Sequence, residues 1–193
     1  MRFLVIYAHP VEDSFQSAIH RCVSKALAEA GHEVDDCDLY AEGFQPVLTR
    51  AERKAYHDVS ADRAFAAKDI ERLLACQGLV FVFPTWWYGM PAILKGYVDR
   101  VLLPGVAFEV VAGRTRPLLQ HITRFGVVTT YGSPWWLNKL MGDPSRRVFM
   151  RGIRYLFARK VRMRWLAQHG MDCADAATRE RFLRKVETRM RAF

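Results

Sequence analysis

Residues 78–91 read GLVFVFPTWWYGMP and join a short apolar segment to a loop with three aromatic residues. The apolar segment, 78–83, is rich in β-branched and aromatic side chains, which is typical of a strand buried on both faces of a parallel sheet. In an open parallel sheet, ligands bind beyond the carboxyl ends of the strands. We therefore expect residues 84–91 to line a ligand site.

Strand and helix patterns alternate on both sides of this segment. Four more apolar runs predict strands, at residues 2–7, 32–39, 125–130 and 161–167. Helical spacing of apolar residues, or a charged helix-like composition, predicts helices at residues 14–30, 49–56, 64–75, 92–102, 145–160 and 176–191. This alternation predicts an α/β fold with a doubly wound five-stranded parallel sheet, helices on both faces, and a single domain over residues 1–193.

The loop after the first strand contains His9 and Ser14 but neither GxGxxG nor GxxxxGK. A Rossmann dehydrogenase and a P-loop nucleotide-binding protein are therefore disfavoured. A phosphate can still bind there through the hydroxyl of Ser14 and the free N–H groups at the start of a helix. The alternative is that Ser14 only caps the helix and His9 packs locally.

The aromatic loop and the loop after the fourth strand predict a flat ligand. Aromatic side chains that directly follow a buried strand can form walls around a ring system, and backbone N–H groups in such a loop can bind its polar edge. Thr129, Thr130 and Gly132 add hydroxyls and exposed backbone at the same edge. A contact between subunits is the alternative role for the aromatic residues.

Charge and cysteine content narrow the classes of function. Residues 144–193 hold 14 Lys and Arg against 4 Asp and Glu, whereas the rest of the chain holds 15 against 16. This basic region is either a solvated face or a surface for an anionic partner or cofactor. The four cysteines are far apart and form no zinc motif, so we expect reduced, packed thiols and no metal site. No segment is long and apolar enough to span a membrane, and we expect a cytoplasmic protein.

Several motifs together resemble one known family. They are His9-Pro10 with Ser14-Phe15, Asp38-Leu39-Tyr40 followed by Phe44 and Pro46, the block FPTWWYGMPAILKGYVDRV at 83–101, and Thr129-Thr130-Tyr131-Gly132. They resemble the NAD(P)H:quinone oxidoreductase (DT-diaphorase) family and its bacterial relatives, modulator of drug activity B and the ancillary reductase of potassium-efflux systems. The resemblance covers residues 1–133 and implies a flavodoxin-like fold.

The resemblance also implies roles for individual residues. The flavin phosphate region is then bound by His9, Ser14, Phe15 and Gln16. The isoalloxazine ring is contacted on one side by Pro84, Thr85, Trp86, Trp87 and Tyr88, and on its other side by Thr129, Thr130, Tyr131 and Gly132. Among these, the groups closest to the chemistry are Trp87, Tyr88, Thr130 and Gly132.

The activity that the resemblance implies is hydride transfer from NAD(P)H, through bound FAD or alternatively FMN, to a quinone or similar planar acceptor by a ping-pong mechanism. It also implies a homodimer with Trp86, Tyr88 and Trp135 at the interface. Two features depart from the mammalian enzymes. No histidine follows the Thr-Thr segment at the corresponding place, and the aromatic pair of the quinone pocket aligns with Phe108 and Val110.

Other classes of function remain open at this point. A flavodoxin-type electron carrier is disfavoured because such proteins have acidic surfaces and a phosphate loop rich in Ser and Thr. A regulatory partner of a membrane transporter could use the basic C-terminal region for docking. Nucleic acid is not expected as a partner, because no recognition motif accompanies the arginines.

Overall fold

The computed structural model describes all of residues 1–193 and contains a parallel five-stranded sheet. Its strands are β1 (Arg2–Tyr7), β2 (Glu33–Asp38), β3 (Gly78–Thr85), β6 (Arg124–Tyr131) and β7 (Arg162–Gln168). They lie side by side in the order β2-β1-β3-β6-β7. A separate antiparallel hairpin consists of β4 (Phe108–Val111) and β5 (Arg114–Pro117). The predicted α/β fold and its five parallel strands are confirmed.

Seven α-helices connect and cover the strands. They are α1 (Phe15–Glu29), α2 (Arg50–Lys54), α3 (Ala67–Ala75), α4 (Ala92–Val101), α5 (Trp135–Leu140), α6 (Pro144–Arg147) and α7 (Ala176–Arg191). Side-chain caps from Ser14, Thr49 and Asp175 begin α1, α2 and α7, respectively. None of these helices is long and apolar enough to cross a membrane.

The central strands are buried on both faces, and successive side chains alternate between two cores. In β3, Val80 and Val82 join the core that contains α1 and α7. Phe81 and Phe83 join the opposite core, which contains Leu94 and Tyr97 of α4. Both faces of the sheet are therefore covered by helices, as the apolar run at 78–83 predicts.

The predicted basic helix over residues 145–160 is helical only to Leu156 and is not a regular α-helix. Regular α-helix stops at Arg147, a π-helical turn spans Val148–Gly152, and a 3₁₀ turn spans Ile153–Leu156. Gly152 weakens helix propagation in this segment, and the segment is anchored by Phe149 and Ile153, which are buried in the core with Phe81 and Phe83. Tertiary packing of two side chains thus overrides a regular helical period.

Two elements lacked a strong sequence pattern and were not predicted. The β4–β5 hairpin pairs Phe108 with Pro117 and turns through Ala112 and Gly113, both at positive φ. Helix α5 begins directly after Pro134 and is only six residues long. Both elements are short, so neither shows a clear period.

Gly96 in the middle of α4 explains part of the motif at 83–101. A Cβ atom at this position would lie 2.3 Å from the carbonyl oxygen of Pro46. The loop that carries Pro46 therefore crosses α4 at a distance that only glycine allows. This contact links two motifs that are 50 residues apart in the sequence.

Candidate active site

The loops after β3 and β6 meet around one large cavity at the carboxyl edge of the sheet. The cavity has a volume of about 730 Å³ and is lined by Pro84, Thr85, Trp86, Trp87, Thr130, Gly132, Met171 and Asp172. This volume falls within the roughly 300–1,000 Å³ of typical small-molecule sites. We call it the ring cleft. Six of its eight lining residues were expected at the site from the sequence.

A second, smaller cavity continues from the ring cleft towards α5. Its volume is about 230 Å³, and its lining residues are Thr85, Trp87, Tyr88, Tyr131, Gly132, Ser133 and Asn138. Three of them, Thr85, Trp87 and Gly132, also line the ring cleft. The two cavities therefore form a continuous site that includes most residues predicted after β3 and β6.

The aromatic loop is a tight two-residue turn. The N–H of Trp86 donates to the carbonyl oxygen of Gly89 at 3.1 Å, and the N–H of Gly89 donates back to Trp86 at 2.9 Å. Trp87 and Tyr88 lie between them with φ of 48° and 59°, in the left-handed region that bulky residues rarely adopt. Their own N–H groups make no hydrogen bond within the chain. Backbone strain at two bulky residues is typical of functional loops.

Two hydroxyls at the strand ends hold β3 and β6 together at the base of the cleft. Thr85 Oγ1 and Thr129 Oγ1 are 2.9 Å apart. Thr129 is fully buried and does not line the cleft. Its side chain therefore positions Thr85 and does not itself reach the cleft.

The side chain of Gln16 connects the first loop with the ring cleft. Thr130 Oγ1 donates to Gln16 Oε1 at 3.1 Å, whereas Gln16 Nε2 is buried and has no hydrogen-bond partner. A buried amide donor without a partner is costly, and natural proteins keep few of them. Gln16 thus offers a free donor next to a residue of the cleft.

Ser14 and His9 form a hydrogen-bonded network inside the first loop. Ser14 Oγ accepts from the N–H of Ser17 at 3.1 Å, donates to the carbonyl oxygen of Val11 at 2.8 Å, and lies 3.0 Å from His9 Nδ1. Ser14 therefore caps helix α1, which is the alternative role that the sequence left open. Only Nε2 of His9 remains available to a ligand, and the His9 ring lies 6.0 Å from that of Trp86.

Phe15 does not line the cleft. Its ring is 6.4 Å from that of Phe182 and packs against the core beneath α1 and α7. The first-loop residues expected to bind a ligand are thus divided: His9 and Gln16 face or adjoin cavities, whereas Ser14 and Phe15 support the start of α1.

A third cavity lies beside the first loop, at the ends of β1 and β2. It has a volume of about 520 Å³ and is lined by Tyr7, His9, Pro10, Glu12, Ser17, His20, Arg21, Asp38, Tyr40 and Ala41. His20 stacks on Tyr7 with ring centroids 4.1 Å apart, and its Nε2 is 2.7 Å from Asp36 Oδ1. Sequence reasoning missed His20 because it lies within an apolar helical pattern.

Met171 and Asp172 were also missed, although the same rule predicts them. They follow β7, so they lie at the same carboxyl edge as the other loops. A Cβ atom at position 132 would lie 2.8 Å from Asp172 Oδ2. Gly132 therefore allows a carboxylate to approach the cleft, where it can accept a hydrogen bond from a ring N–H.

The segment after Thr129-Thr130 supplies no histidine, but a histidine from the end of β7 lies at the site. His169, which follows β7, stacks on Tyr131 with centroids 4.5 Å apart, and its Nδ1 lies 3.1 Å from Asn138 Nδ2. Burial lowers the pKa of His169. Burial and the carboxylate of Asp143, to which the phenol donates at 3.2 Å, raise the pKa of Tyr131 above its ordinary value. Both rings are therefore neutral at neutral pH.

One group of side chains has the composition of a metal site. Cys37, Glu42 and Asp69 bring ligand atoms within 4.8 Å of one another. However, Arg72 Nη1 lies 2.9 and 3.1 Å from the two oxygens of Glu42, and burial raises the pKa of the Cys37 thiol well above its usual range. A neutral thiol and an arginine-bound carboxylate are poor metal ligands.

Another cavity, of about 350 Å³, lies beneath α2 and is mainly apolar. Leu103, which follows α4, is part of its lining. The cavity is therefore at the opposite end of α4 from the aromatic loop. Its one buried carboxylate, Glu52, is paired with Arg100 at 2.6 Å and is not free for chemistry.

Comparison with known proteins agrees with this fold. A family model described as flavodoxin-like fold matches residues 1–192. An uncharacterized NAD(P)H oxidoreductase of Haemophilus influenzae is 36% identical over 126 residues, which cover 63% of this chain and 60% of that protein. The chain spans only 54–60% of the length of the first three curated relatives that it matches.

Two solved structures are similar over almost the whole chain. Smu.1420 from Streptococcus mutans UA159 has a TM-score of 0.90 at 28% identity, with both chains fully covered. An NAD(P)H:quinone oxidoreductase from Methanothermobacter marburgensis has a TM-score of 0.82 at 26% identity, covering 99% of this chain and 98% of that one. The resemblance seen in the sequence motifs is thereby confirmed, and the chain belongs to the flavodoxin-like fold family.

Proposed function

We propose that this protein is a flavin-dependent NAD(P)H oxidoreductase that passes a hydride to a quinone or a similar planar acceptor. The observation that carries the proposal is the ring cleft. Three loops form it: one with strained aromatic residues, one with a hydroxyl and a glycine, and one with a carboxylate. The NAD(P)H oxidoreductase and quinone oxidoreductase names of similar proteins support the same reaction class.

The residues of the cleft fit a flavin ring. Trp86 and Trp87 offer flat apolar surface, and the N–H groups of Trp87 and Tyr88 are free donors. The orphaned Nε2 of Gln16 lies next to Thr130, and Asp172 offers an acceptor. These groups match a planar molecule that has both acceptors and an N–H on its edge.

The cavity beside the first loop supports FAD over FMN, with FMN as the alternative. It is about 520 Å³ in volume and adjoins His9, where the phosphate region is expected. FMN ends at its phosphate, so only FAD has a nucleotide to place in this space. Arg21 and Ser17 supply polar groups there, at 2.6 Å from each other.

The chemistry requires little acid or base catalysis from the chain. A bound flavin supplies both the hydride acceptor and the hydride donor. Trp86 and Trp87 would hold the flat rings, and the free N–H groups of Trp87 and Tyr88 would act as preorganised donors. Pro84 and Thr129, which are buried, would limit water at the base of the cleft. In the proposed ping-pong order, the nicotinamide and the acceptor use the ring cleft in turn.

A homodimer completes the proposal. Trp87 is 97% exposed, and Trp135 and Trp136 are 59% and 62% exposed. Aromatic side chains exposed around a cleft are typical of interfaces. The two hairpin residues that align with the aromatic pair of the family's quinone pocket differ in exposure. Val110 is exposed, whereas Phe108 packs against the core. Sedimentation that shows an active monomer would contradict this part.

The test is direct. The purified protein is examined by visible spectroscopy, and the released flavin is identified by chromatography. NADH or NADPH oxidation with a benzoquinone acceptor is then measured, and parallel double-reciprocal lines are expected. A colourless protein that takes up neither FAD nor FMN and oxidises neither donor would overturn the proposal.

A further inference from the structure

A small cavity lined by four cations lies beside the ring cleft. Its volume is about 160 Å³, and its lining residues are Lys139, Gly142, Asp143, Arg146, Arg147, Met150 and Arg151. We call it the basic pocket. The segment that forms it runs from α5 through α6 into the π-helical turn, where the predicted regular helix is broken.

The cations of the basic pocket form no ion pairs, although Lys139 lies over the ring of Trp135 at 5.7 Å. None of Lys139, Arg146, Arg147 and Arg151 forms an ion pair, whereas Arg72, Arg100 and Arg191 elsewhere in the chain each pair with a carboxylate. Asp143 is the only acidic residue of the lining, and its carboxylate accepts a hydrogen bond from the phenol of Tyr131 at 3.2 Å. Four like charges around one concavity favour a bound anion.

The basic pocket adjoins the site already described. Tyr131 lines the cavity next to the ring cleft and contacts Asp143 of the basic pocket. Asn138 lines the same cavity, and its neighbour Lys139 lines the pocket. The basic pocket and the smaller cavity are therefore linked through the contact between Tyr131 and Asp143.

The basic pocket and the first loop serve different ligand groups. Helix α1, which follows the first loop, packs on one face of the sheet, in the core that contains Val80 and Val82. Phe149, within the basic segment, packs on the other face with Phe81 and Phe83. The flavin phosphate is expected at the first loop, so a phosphate in the basic pocket belongs to another reactant.

We infer that the basic pocket binds a phosphate of the reduced nicotinamide dinucleotide while its nicotinamide lies in the ring cleft. This inference rests on the proposed function. The pocket is smaller than the roughly 300–1,000 Å³ of sites that enclose whole drug-sized ligands, so it holds the charged end of a larger molecule. Arginine forks bind phosphate oxygens in pairs, and three arginines line this pocket. The phosphate is either the bridging pyrophosphate or the 2′-phosphate of NADPH.

The test compares two triple variants with the same loss of charge. The pocket variant is Arg146→Ala, Arg147→Ala, Arg151→Ala. The control variant is Arg179→Ala, Lys185→Ala, Arg189→Ala, which removes three exposed, unpaired cations from α7. Calorimetric titration with pyrophosphate and with adenosine 2′-monophosphate measures phosphate binding without turnover. Steady-state rates are measured with NADH, with NADPH and with 1-benzyl-1,4-dihydronicotinamide, which has no phosphate.

We expect the pocket variant to bind pyrophosphate or adenosine 2′-monophosphate at least about tenfold more weakly, because charge-assisted hydrogen bonds are lost. Its KM for the dinucleotide rises by a similar factor, while rates with the benzyl donor and in the control variant stay unchanged. An equal rise for NADH and NADPH assigns the pocket to the pyrophosphate, and a rise for NADPH alone assigns it to the 2′-phosphate.

Three other outcomes are decisive. Unchanged phosphate binding and unchanged KM in the pocket variant overturn the inference and leave the proposed function standing. Equal losses in both variants show general charge attraction and also overturn it. If no donor is oxidised by the wild-type protein, yet only the pocket variant loses phosphate binding, the phosphate site stands and the proposed reductase function fails.

Discussion

The hydroxyl of Thr130, at the end of β6, donates to Oε1 of Gln16 in the first turn of α1 at 3.1 Å. This bond leaves Gln16 Nε2 buried and without a partner. The two residues are 114 positions apart in the sequence, and their contact connects the first loop with the ring cleft. An unsatisfied donor bonded to a residue of the ring cleft is what a ligand with an acceptor would satisfy.

Replacement Gln16→Met tests this interpretation. Flavin affinity should fall by about tenfold, because a hydrogen bond in a desolvated site is lost. The stability of the flavin-free protein should change little, because the loss of the hydrogen bond from Thr130 is offset by the removal of a buried donor without a partner. Quenching of flavin fluorescence measures the affinity, and thermal unfolding measures the stability.

Ser24→Ala is the matched control for Gln16→Met. Ser24 is also in α1, and its Oγ is also buried without a partner, but, unlike Gln16, it forms no hydrogen bond with a residue of the ring cleft. Its removal should leave flavin binding unchanged. If Gln16→Met binds flavin as tightly as Ser24→Ala does, Gln16 has no ligand role.

The turn at Trp87 and Tyr88 should trade stability for function. Both residues have positive φ, and a left-handed conformation costs a bulky residue roughly 1–2 kcal/mol. The double substitution Trp87→Asn, Tyr88→Gly suits a two-residue turn of this kind and should raise the free energy of unfolding by about 1–2 kcal/mol. Turnover should fall, because an aromatic wall of the cleft is lost.

Urea unfolding and steady-state rates measure the two effects. Trp135→Asn is the control, since it removes an exposed tryptophan from α5, where no left-handed conformation is relieved. It should give no gain in stability. A double variant at positions 87 and 88 that is less stable than the wild type would show that these side chains support the fold.

The ion pair between Glu52 and Arg100 should make stability depend on pH. Arg100 Nη2 is 2.6 Å and Nε is 3.2 Å from the Glu52 carboxylate, and both side chains are nearly buried. Burial alone would raise the pKa of Glu52, but the hydrogen bonds from Arg100 outweigh it and hold this pKa below its usual value. Glu52→Gln should cost about 3 kcal/mol at neutral pH, because it leaves a buried charge without its partner.

The pH dependence has a definite sign. A carboxylate with a lowered pKa in the folded state stabilises the protein above its unfolded pKa of about 4.3, and this contribution is lost as the pH falls through the folded pKa. The difference between wild type and Glu52→Gln in urea unfolding should therefore shrink below about pH 4.3. Asp99→Asn, which breaks the exposed pair with Lys95 on the same helix, should cost less than about 0.5 kcal/mol.

The four free thiols should react at different rates. Cys173 is exposed, whereas Cys37 and Cys76 are buried, and burial raises the pKa of Cys76 to about 12. Cys22 is partly buried and donates to the carbonyl oxygen of Leu183 at 3.5 Å. Because thiolates are the reactive form, a disulfide reagent should label Cys173 first.

Absorbance at neutral pH should show one fast thiol in the native protein and four after unfolding. Cys173→Ser should abolish the fast phase and leave three thiols that react after unfolding. Fast labelling of two or more thiols in that variant would contradict the burial of Cys37 and Cys76.

Several elements followed from sequence pattern alone because their determinants are local. The apolar run at 78–83 predicted β3 because alternating side chains of a central strand must be apolar on both faces. Ser14 predicted the start of α1 because its side chain caps the first turn. The position of the aromatic loop at the carboxyl edge followed from its place after β3, because the carboxyl ends of parallel strands share one edge.

Other features depended on contacts between distant residues. The segment after Pro144 has the composition of a helix, yet packing of Phe149 and Ile153 in the core accompanies a break into π and 3₁₀ turns. Ser14 and Phe15 share the first loop with His9 and Gln16, but their side chains support α1 instead of lining a cavity. Sequence spacing places a residue at an edge, and it does not give the direction of the side chain.

The sequence by itself determined the order of strands and helices and the loops that carry the site, because both depend on short-range periodicity and on chain connectivity. Only the tertiary structure brought Gln16 to Thr130, stacked His169 on Tyr131, and placed four unpaired cations around one cavity. The first two contacts join residues that lie far apart in the chain. The cavity groups side chains of one segment, residues 139–151, that face the same space. Their geometry is decided by how the helices pack on the two faces of the sheet.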